Sequence, residues 1–357
     1  MLDVEWRALG KPLPPPPRPV EEESTTTDLT LVADALIEAA SLAGVPAQPS
    51  PWLDPLPTHL VLDLPHDQPA DRTADLGSGW AAGQSAGRLG GRPGGEEVAP
   101  IPFGSTDRPW AQDRQRLALD VAHGGHLLIA GAARSGRSTA LRTIAGSIAR
   151  HASPEDVHLH AVDCGSGALL PLVAMPHCGA VVTRDQLDRV ERLLTRLRVE
   201  VGRRQQLLAE AGHASLAEYR QAGHRLPWLV FMLDRWEGFV AAFEGYDYGR
   251  LIEALLQLLR EGPAVGFRAV VSADRSGLLG QVSTVFDDRL LLRLSDNADY
   301  GLAGFPLKGL PAVMPAGRAL SMGEHGIVEH QIALLAADPA GPAQVAALQA
   351  LARAAAD

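Results

Sequence analysis

The residues best equipped to do chemistry lie in the stretch HLLIAGAARSGRSTALRTIAG, from His126 to Gly146. Gly131 and Gly136 bracket Ala132, Ala133, Arg134 and Ser135, and Arg137, Ser138 and Thr139 follow directly. Glycines at those two places let a backbone wrap until its N–H groups converge on phosphate oxygens, and a helix starting there adds the positive end of its dipole. Ser138 is placed to ligate Mg2+ beside that phosphate, and Thr139 to add a phosphate contact. Gly131 to Thr139 are therefore the candidate ATP-binding residues. Position 137 departs from the pattern, which has Lys. An ammonium reaches the β- and γ-phosphates as a point charge, whereas the guanidinium of Arg137 is wider and planar. The chain carries two lysines, Lys11 and Lys308, against 30 arginines, and this drift in composition fits the exchange.

A second candidate is Asp234, which ends the apolar run Trp228-Leu-Val-Phe-Met-Leu. A carboxylate at the end of a strand beside the first one orients Mg2+ through water. The other reading is an Asp that caps the next helix. Ser138 and Asp234 are thus the metal candidates, and Asp234 and Arg137 the catalytic ones. The residue after Asp234 is Arg235, where a carboxylate would polarise the attacking water; a guanidinium cannot accept a proton. Glu237 follows two residues further into a turn. Slow or undetectable ATP hydrolysis is the expectation.

These groups need elements to hold them. The apolar run before Gly131 reads as a strand, and Leu141, Ile144, Ala145 and Ile148 after Gly136 read as one face of a helix. Downstream, strands are expected at 157–163, 179–183, 228–234, 266–273 and 289–294. An amphipathic helix is expected at 185–211, with Leu187, Val190, Leu194, Leu197 and Val201 on its apolar face and its arginines on a solvated one. The alternation predicts an α/β domain with a mostly parallel sheet and helices on both faces. Residues 117–121 and 127–129, joined by Gly124-Gly125, read as a hairpin feeding the phosphate loop. Four regions follow: a Pro-rich linker at 1–27, a small helical and irregular arm at 28–66, a Gly-rich linker at 67–98 and the main domain at 99–357. Within the arm a helix is expected at 28–43, capped by Asp28. The region before Pro100 is expected to stand outside the sheet. A chain that opens on a linker reads as a fragment or as the last module of a longer one.

At 357 residues and 46% hydrophobic, the chain can hold one large domain with smaller flanking material. Its net charge of −10 argues against a surface that binds nucleic acid throughout, while leaving room for a local basic channel. Two cysteines, Cys164 and Cys178, make no disulfide framework and no metal spacing. No apolar run reaches the ~18 residues of a membrane span. The expectation is a cytoplasmic protein with no direct membrane insertion, reaching a membrane only through a partner or a missing N-terminal part.

Taken together, these stretches resemble the FtsK/SpoIIIE family of motor domains, over roughly residues 28–335. The stretch 126–146 resembles its phosphate loop and first helix, and Trp228–Asp234 its Walker B strand. Glu200, Gly202, Arg203 and Arg204, then Leu207, Leu208 and Gly212, then Tyr219 and Arg220, resemble its long helix and the segment after it. Residues 270–276 resemble a strand and turn that carry Gln-Arg-Pro in the family, with Asp274 and Ser276 in place of Gln and Pro. Arg289, Arg293, Asp296 and Asp299 resemble the final strand and its acidic follow-on. Asp163-Cys-Gly-Ser-Gly167, the Arg after Asp234, and Asp299-Tyr300 with Gly304 are most similar to the degenerate modules of EccC-type type VII secretion ATPases. The resemblance implies a RecA-like P-loop NTPase that binds ATP and Mg2+ and works in a homo-oligomeric (hexameric) ring or as tandem modules. It implies a polymer substrate, duplex DNA or a secreted protein, that the assembly translocates. The alternative it leaves is a hydrolysis-deficient, nucleotide-locked module that regulates or binds a partner.

Overall fold

The structure is a computed structural model that describes residues 27–45, 52–62 and 97–356. The Pro-rich start of the chain and the Gly-rich stretch at 70–95 lie outside the described residues. The chain divides into two units, Met1–Trp52 and Leu53–Asp357. In the first, α1 (Asp28–Leu42) is capped by Thr27, whose hydroxyl accepts from the Thr30 N–H at 3.2 Å. This corrects the expectation of Asp28 as the cap. Thr27 takes the extended backbone that a capping residue needs, and Asp28 falls into the first turn, where its charge favours the dipole. No residue of α1 is buried, so Leu29, Leu36 and Ile37 are exposed.

The second unit is built on a ten-stranded sheet. In chain order come β1 (Ile101–Arg108), β2 (Asp113–Leu119), β3 (Leu127–Ala130), α2 (Arg137–His151), β4 (Val157–Asp163), β5 (Cys178–Thr183), α3 (Leu187–Glu210) and α4 (Leu216–Gln221). Then come β6 (Trp228–Asp234), α5 (Trp236–Phe243), α6 (Arg250–Glu261), β7 (Phe267–Ala273), α7 (Gly280–Ser283), β8 (Asp288–Leu291), β9 (Arg318–Gly323), β10 (Gly326–Ile332) and α8 (Gly341–Ala356). The strand order is β2-β1-β10-β9-β8-β3-β7-β6-β4-β5. From β8 to β5 every pairing is parallel; β9, β10, β1 and β2 extend the sheet antiparallel. The two halves meet at a single ladder pair, Leu291 with Leu320.

Side-chain alternation explains the layers. Leu128, Phe231, Leu233, Ala269 and Val271 face one way, into a core shared with α3, α5 and α6. Leu127, Ile129, Val230, Met232 and Val270 face the other, into a core with α2 and α8. β3, β6 and β7 are buried on both faces, which is why they read as unbroken apolar runs. The parallel half and its helices match the expected fold class.

The expected hairpin is not formed. β2 pairs with β1, Leu119 opposite Ile101, at the far edge of the sheet. β3 lies in the parallel half with β7 and β8 on either side, so neither of its edges is open to β2. The Asp120 carboxylate accepts from the Ala122 and His123 N–H groups, both at 2.9 Å, and turns the chain between them. The last expected strand also stops at Leu291. Of the region before Pro100, Val61 makes one isolated bridge to Leu334. Buried Arg318 fastens the same segment by donating to the Leu56 carbonyl at 2.8 Å.

His126, at the foot of β3, is held neutral. Its Nε2 bonds to the Leu259 carbonyl at 2.7 Å and its Nδ1 accepts from the Ala269 N–H at 3.0 Å, so a second proton has no place to go. Burial takes its pKa down to about 4, against the Leu259 carbonyl, whose hydrogen bond raises it, and with the help of nearby Arg268. The unfolded chain therefore binds this proton more readily than the folded one. Stability is expected to be full above pH ~6.5 and to fall as pH drops towards 4. Urea unfolding across that window should show the slope, and His126→Leu should make it shallower, since buried His160 and His330 also contribute to it.

Candidate functional site

The phosphate loop runs from the end of β3 to the start of α2 and is tied at both sides of the strand. The Gly131 N–H donates to the Ala273 carbonyl of β7 at 2.9 Å, and the Ala132 N–H to the Arg293 carbonyl after β8 at 2.8 Å. Gly131 is required sterically: a Cβ there would lie 2.5 Å from Ser135 Oγ and 2.8 Å from Leu292 Cβ. Gly136 adopts φ +109°, and a Cβ there would meet the Gly317 nitrogen at 3.0 Å. The Gly317 N–H donates to the Ser135 carbonyl at 2.9 Å, which braces the loop from the antiparallel half. No side chain caps α2. Its first-turn N–H groups have no intrahelical partner by helix geometry and face the loop's concavity. Ala133 and Arg134 form the exposed crest, Ser135 is buried beneath it, and Thr139 is half-buried one residue past Ser138.

The two metal candidates meet. The Ser138 hydroxyl donates to the Asp234 carboxylate, 2.9 Å from Oδ2 and 3.0 Å from Oδ1. Asp234 also accepts from Ser272 Oγ at 2.6 Å, and Ser272 in turn accepts from the Arg235 N–H at 2.8 Å. Burial raises the Asp234 pKa, opposed by the Ser272 and Ser138 hydrogen bonds and reinforced by Asp163. A hydroxyl beside a buried carboxylate is an oxygen donor set of the kind Mg2+ takes, with phosphate and water as the remaining ligands. The residues fit such an ion.

Arg137 is placed differently from a residue aimed freely at phosphate. Its Nη1 pairs with Glu237 Oε1 at 2.9 Å, with only 10% of the Arg137 side chain exposed. Glu237 Oε2 accepts from the Asp274 N–H at 3.1 Å. Arg235 is not an idle replacement for a carboxylate either. It caps α5 in a left-handed conformation, φ 68° and ψ 87°, uncommon for a side chain with a Cβ. Its Nε lies against Gly165, where an added Cβ would be 3.1 Å from it and 2.8 Å from Asp234 Oδ2.

Three participants were given no site role from the sequence, although Asp163 opens one of the stretches that carry the family resemblance. Asp163 is opposite Asp234 in the β4–β6 register and folds the next turn around its carboxylate, accepting from the Gly165 and Leu169 N–H groups at 2.8 Å and from Gly167 at 3.3 Å. Arg142, one helical turn beyond Ser138, has its pKa lowered by burial, while Asp234 and Asp163 raise it. Ser272 links Asp234 to the Arg235 backbone. The only available signals were the helical spacing of Arg142 from Ser138 and the position of Asp163 at a strand's end. In the turn after β7, Asp274 accepts from the Ser276 N–H, and Arg275 reaches Asp299 at 3.7 Å. Tyr300 holds the end of β8 through the Leu292 carbonyl and the Leu294 N–H.

The FtsK/SpoIIIE family profile matches residues 96–334. The ESX secretion system protein EccC of Thermomonospora curvata is 32% identical over 202 residues, which are 54% of this chain and 15% of that protein. The ESX-4 secretion system protein EccC4 of Mycobacterium tuberculosis is 30% identical over 236 residues, 64% of this chain and 19% of that one. The solved cytoplasmic domain of the Thermomonospora curvata type VII secretion ATPase EccC superposes with a TM-score of 0.65 at 27% identity, covering 94% of this chain and 37% of that chain. The chain thus spans a fifth or less of the two curated relatives. Among the described residues no helix is long and apolar enough to cross a membrane.

Proposed function

The chain belongs to the FtsK/SpoIIIE family, and on that premise we propose that it binds Mg-ATP in the cradle Gly131–Thr139 and serves as one module of a polymer-moving ring. The observation that carries the nucleotide part is the contact of Ser138 with Asp234 beneath an uncapped helix N-terminus. Amides of the loop and of the first turn of α2 receive the phosphates, Ser138 and Asp234 hold the cation, and Arg137 adds positive charge. A bound Mg2+ would neutralise phosphate charge and orient the terminal phosphoryl group. Ser272 keeps Asp234 in place, and Arg142 offsets the charge of the neighbouring carboxylates Asp234 and Asp163.

The polymer is better read as a secreted protein than as duplex DNA, since the relatives are secretion proteins and this chain carries a net charge of −10. The module acts in the cytoplasm within a ring or a tandem array. A second reading, a nucleotide-locked partner-binding module, is favoured by one observation: a guanidinium follows Asp234 where a carboxylate would orient water. Steady-state ATP turnover with and without duplex DNA tests these readings. Turnover that stays slow or undetectable with DNA present is expected, and several-fold stimulation by DNA would move the assignment to a DNA translocase.

A further inference from the structure

The Arg137–Glu237 pair has a role that neither residue type announces, and the argument rests on the nucleotide reading above. Arg137 is nine-tenths buried, so its charge needs an anion close by. In a filled cradle that anion is phosphate; in the structure it is Glu237. The carboxylate is held from both ends, one oxygen on Arg137 and the other on the Asp274 N–H. It belongs to the first turn of α5, where the helix dipole favours negative charge. The strained backbone of Arg235, anchored by its N–H on Ser272, starts that helix immediately beyond Asp234. Glu237 therefore occupies a place set by three elements: the phosphate loop, the helix after β6 and the turn after β7.

We infer that Glu237 is a positioning residue, a built-in counter-ion that occupies Arg137 when the cradle lacks phosphate and gives it up when nucleotide enters. Phosphate and Glu237 compete for one guanidinium, so Glu237 lowers affinity for nucleotide. The exchange also changes what the carboxylate pulls on: once free of Arg137, it is held by the Asp274 N–H alone. The turn after β7 is thereby informed of whether the loop is filled.

The test measures binding of a fluorescent ATP analogue with Mg2+ to the 357-residue chain, with thermal melting to check the fold. Glu237→Gln keeps an acceptor for Asp274 and removes the charge that holds Arg137. It is expected to bind the analogue about tenfold more tightly than wild type. In an Arg137→Ala background the same substitution should change affinity by less than about twofold, because the group being competed for is gone. Glu237→Asp, one methylene short of the contact, should also bind more tightly and serves if the Gln variant fails to fold. Equal or weaker binding by folded Glu237→Gln overturns the inference, as does an equal gain in both backgrounds, which would mark Glu237 as a bulk charge only. Unchanged affinity with slower single-turnover cleavage would make it a proton acceptor and also overturn the inference. Failure of wild type and every variant to bind the analogue would instead defeat the nucleotide reading, and this inference with it.

Discussion

The double substitution Ser138→Ala/Arg137→Ala is expected to weaken binding of a fluorescent ATP analogue with Mg2+ by at least about 100-fold, or about 2.8 kcal/mol. Two separate losses combine. Without the Ser138 hydroxyl, Asp234 keeps only Ser272 as a side-chain donor, and the cation loses its one ligand from α2. Without Arg137, the cradle loses the guanidinium that places positive charge beside the phosphates. Neither residue is in an apolar core, so the fold should survive and melting temperature should move little. Equal binding by wild type and the double variant would remove the cradle from the nucleotide site.

Single-turnover ATP cleavage by the wild-type chain is expected to be slow or undetectable, and Arg235→Glu to raise its rate by at least about tenfold without much change in affinity. The Arg235 backbone lies directly after Asp234 and is anchored on Ser272, so a carboxylate there starts from the place where water would be polarised. The structure sets a limit on the gain. The new carboxylate would stand close to Asp163 and Asp234, and their repulsion, only partly offset by Arg142, opposes a third negative charge there. Asp234→Ala in the same assay should abolish any cleavage. Rapid wild-type turnover that Arg235→Glu leaves unchanged would pass the role of proton acceptor to Glu237 or to a neighbouring subunit, and the reading of a degenerate module would lose its main support.

The parts of this site that are local in sequence were legible in it. β4 and β6 run over the residues expected, because strands buried on both faces show as continuous apolar runs closed by a polar residue. The strand, the glycine-bracketed loop and the helix that hold the candidate phosphate site were legible because they lie within one short stretch. What escaped was non-local. Ser138 and Asp234 were each chosen as metal candidates, yet the pairing of Arg137 with Glu237 spans 100 residues and leaves no periodicity behind. Glu237 was passed over as two residues too far, because the left-handed turn at Arg235 that brings it back cannot be read from an arginine. β2 was misassigned because the spacing of two apolar runs around Gly124-Gly125 fits a hairpin, while the choice of partner depends on which edges of β3 other strands have already filled.

The single ladder pair between the two halves of the sheet, Leu291 with Leu320, bears on how the module carries load. Two blocks joined along a full ladder share tension over many parallel hydrogen bonds and yield together. Here the sheet itself joins the blocks by one rung, and the rest of the connection runs through the core that both share with α2 and through the Thr143 hydroxyl on the Ala333 carbonyl. A further contact is the Gly317 N–H on the Ser135 carbonyl, inside the phosphate loop itself. A pull on the antiparallel block thus has one direct backbone route into the loop, at Ser135 beneath its crest. If the module works in the ring proposed above, strain between neighbours would reach the grip on phosphate by this link.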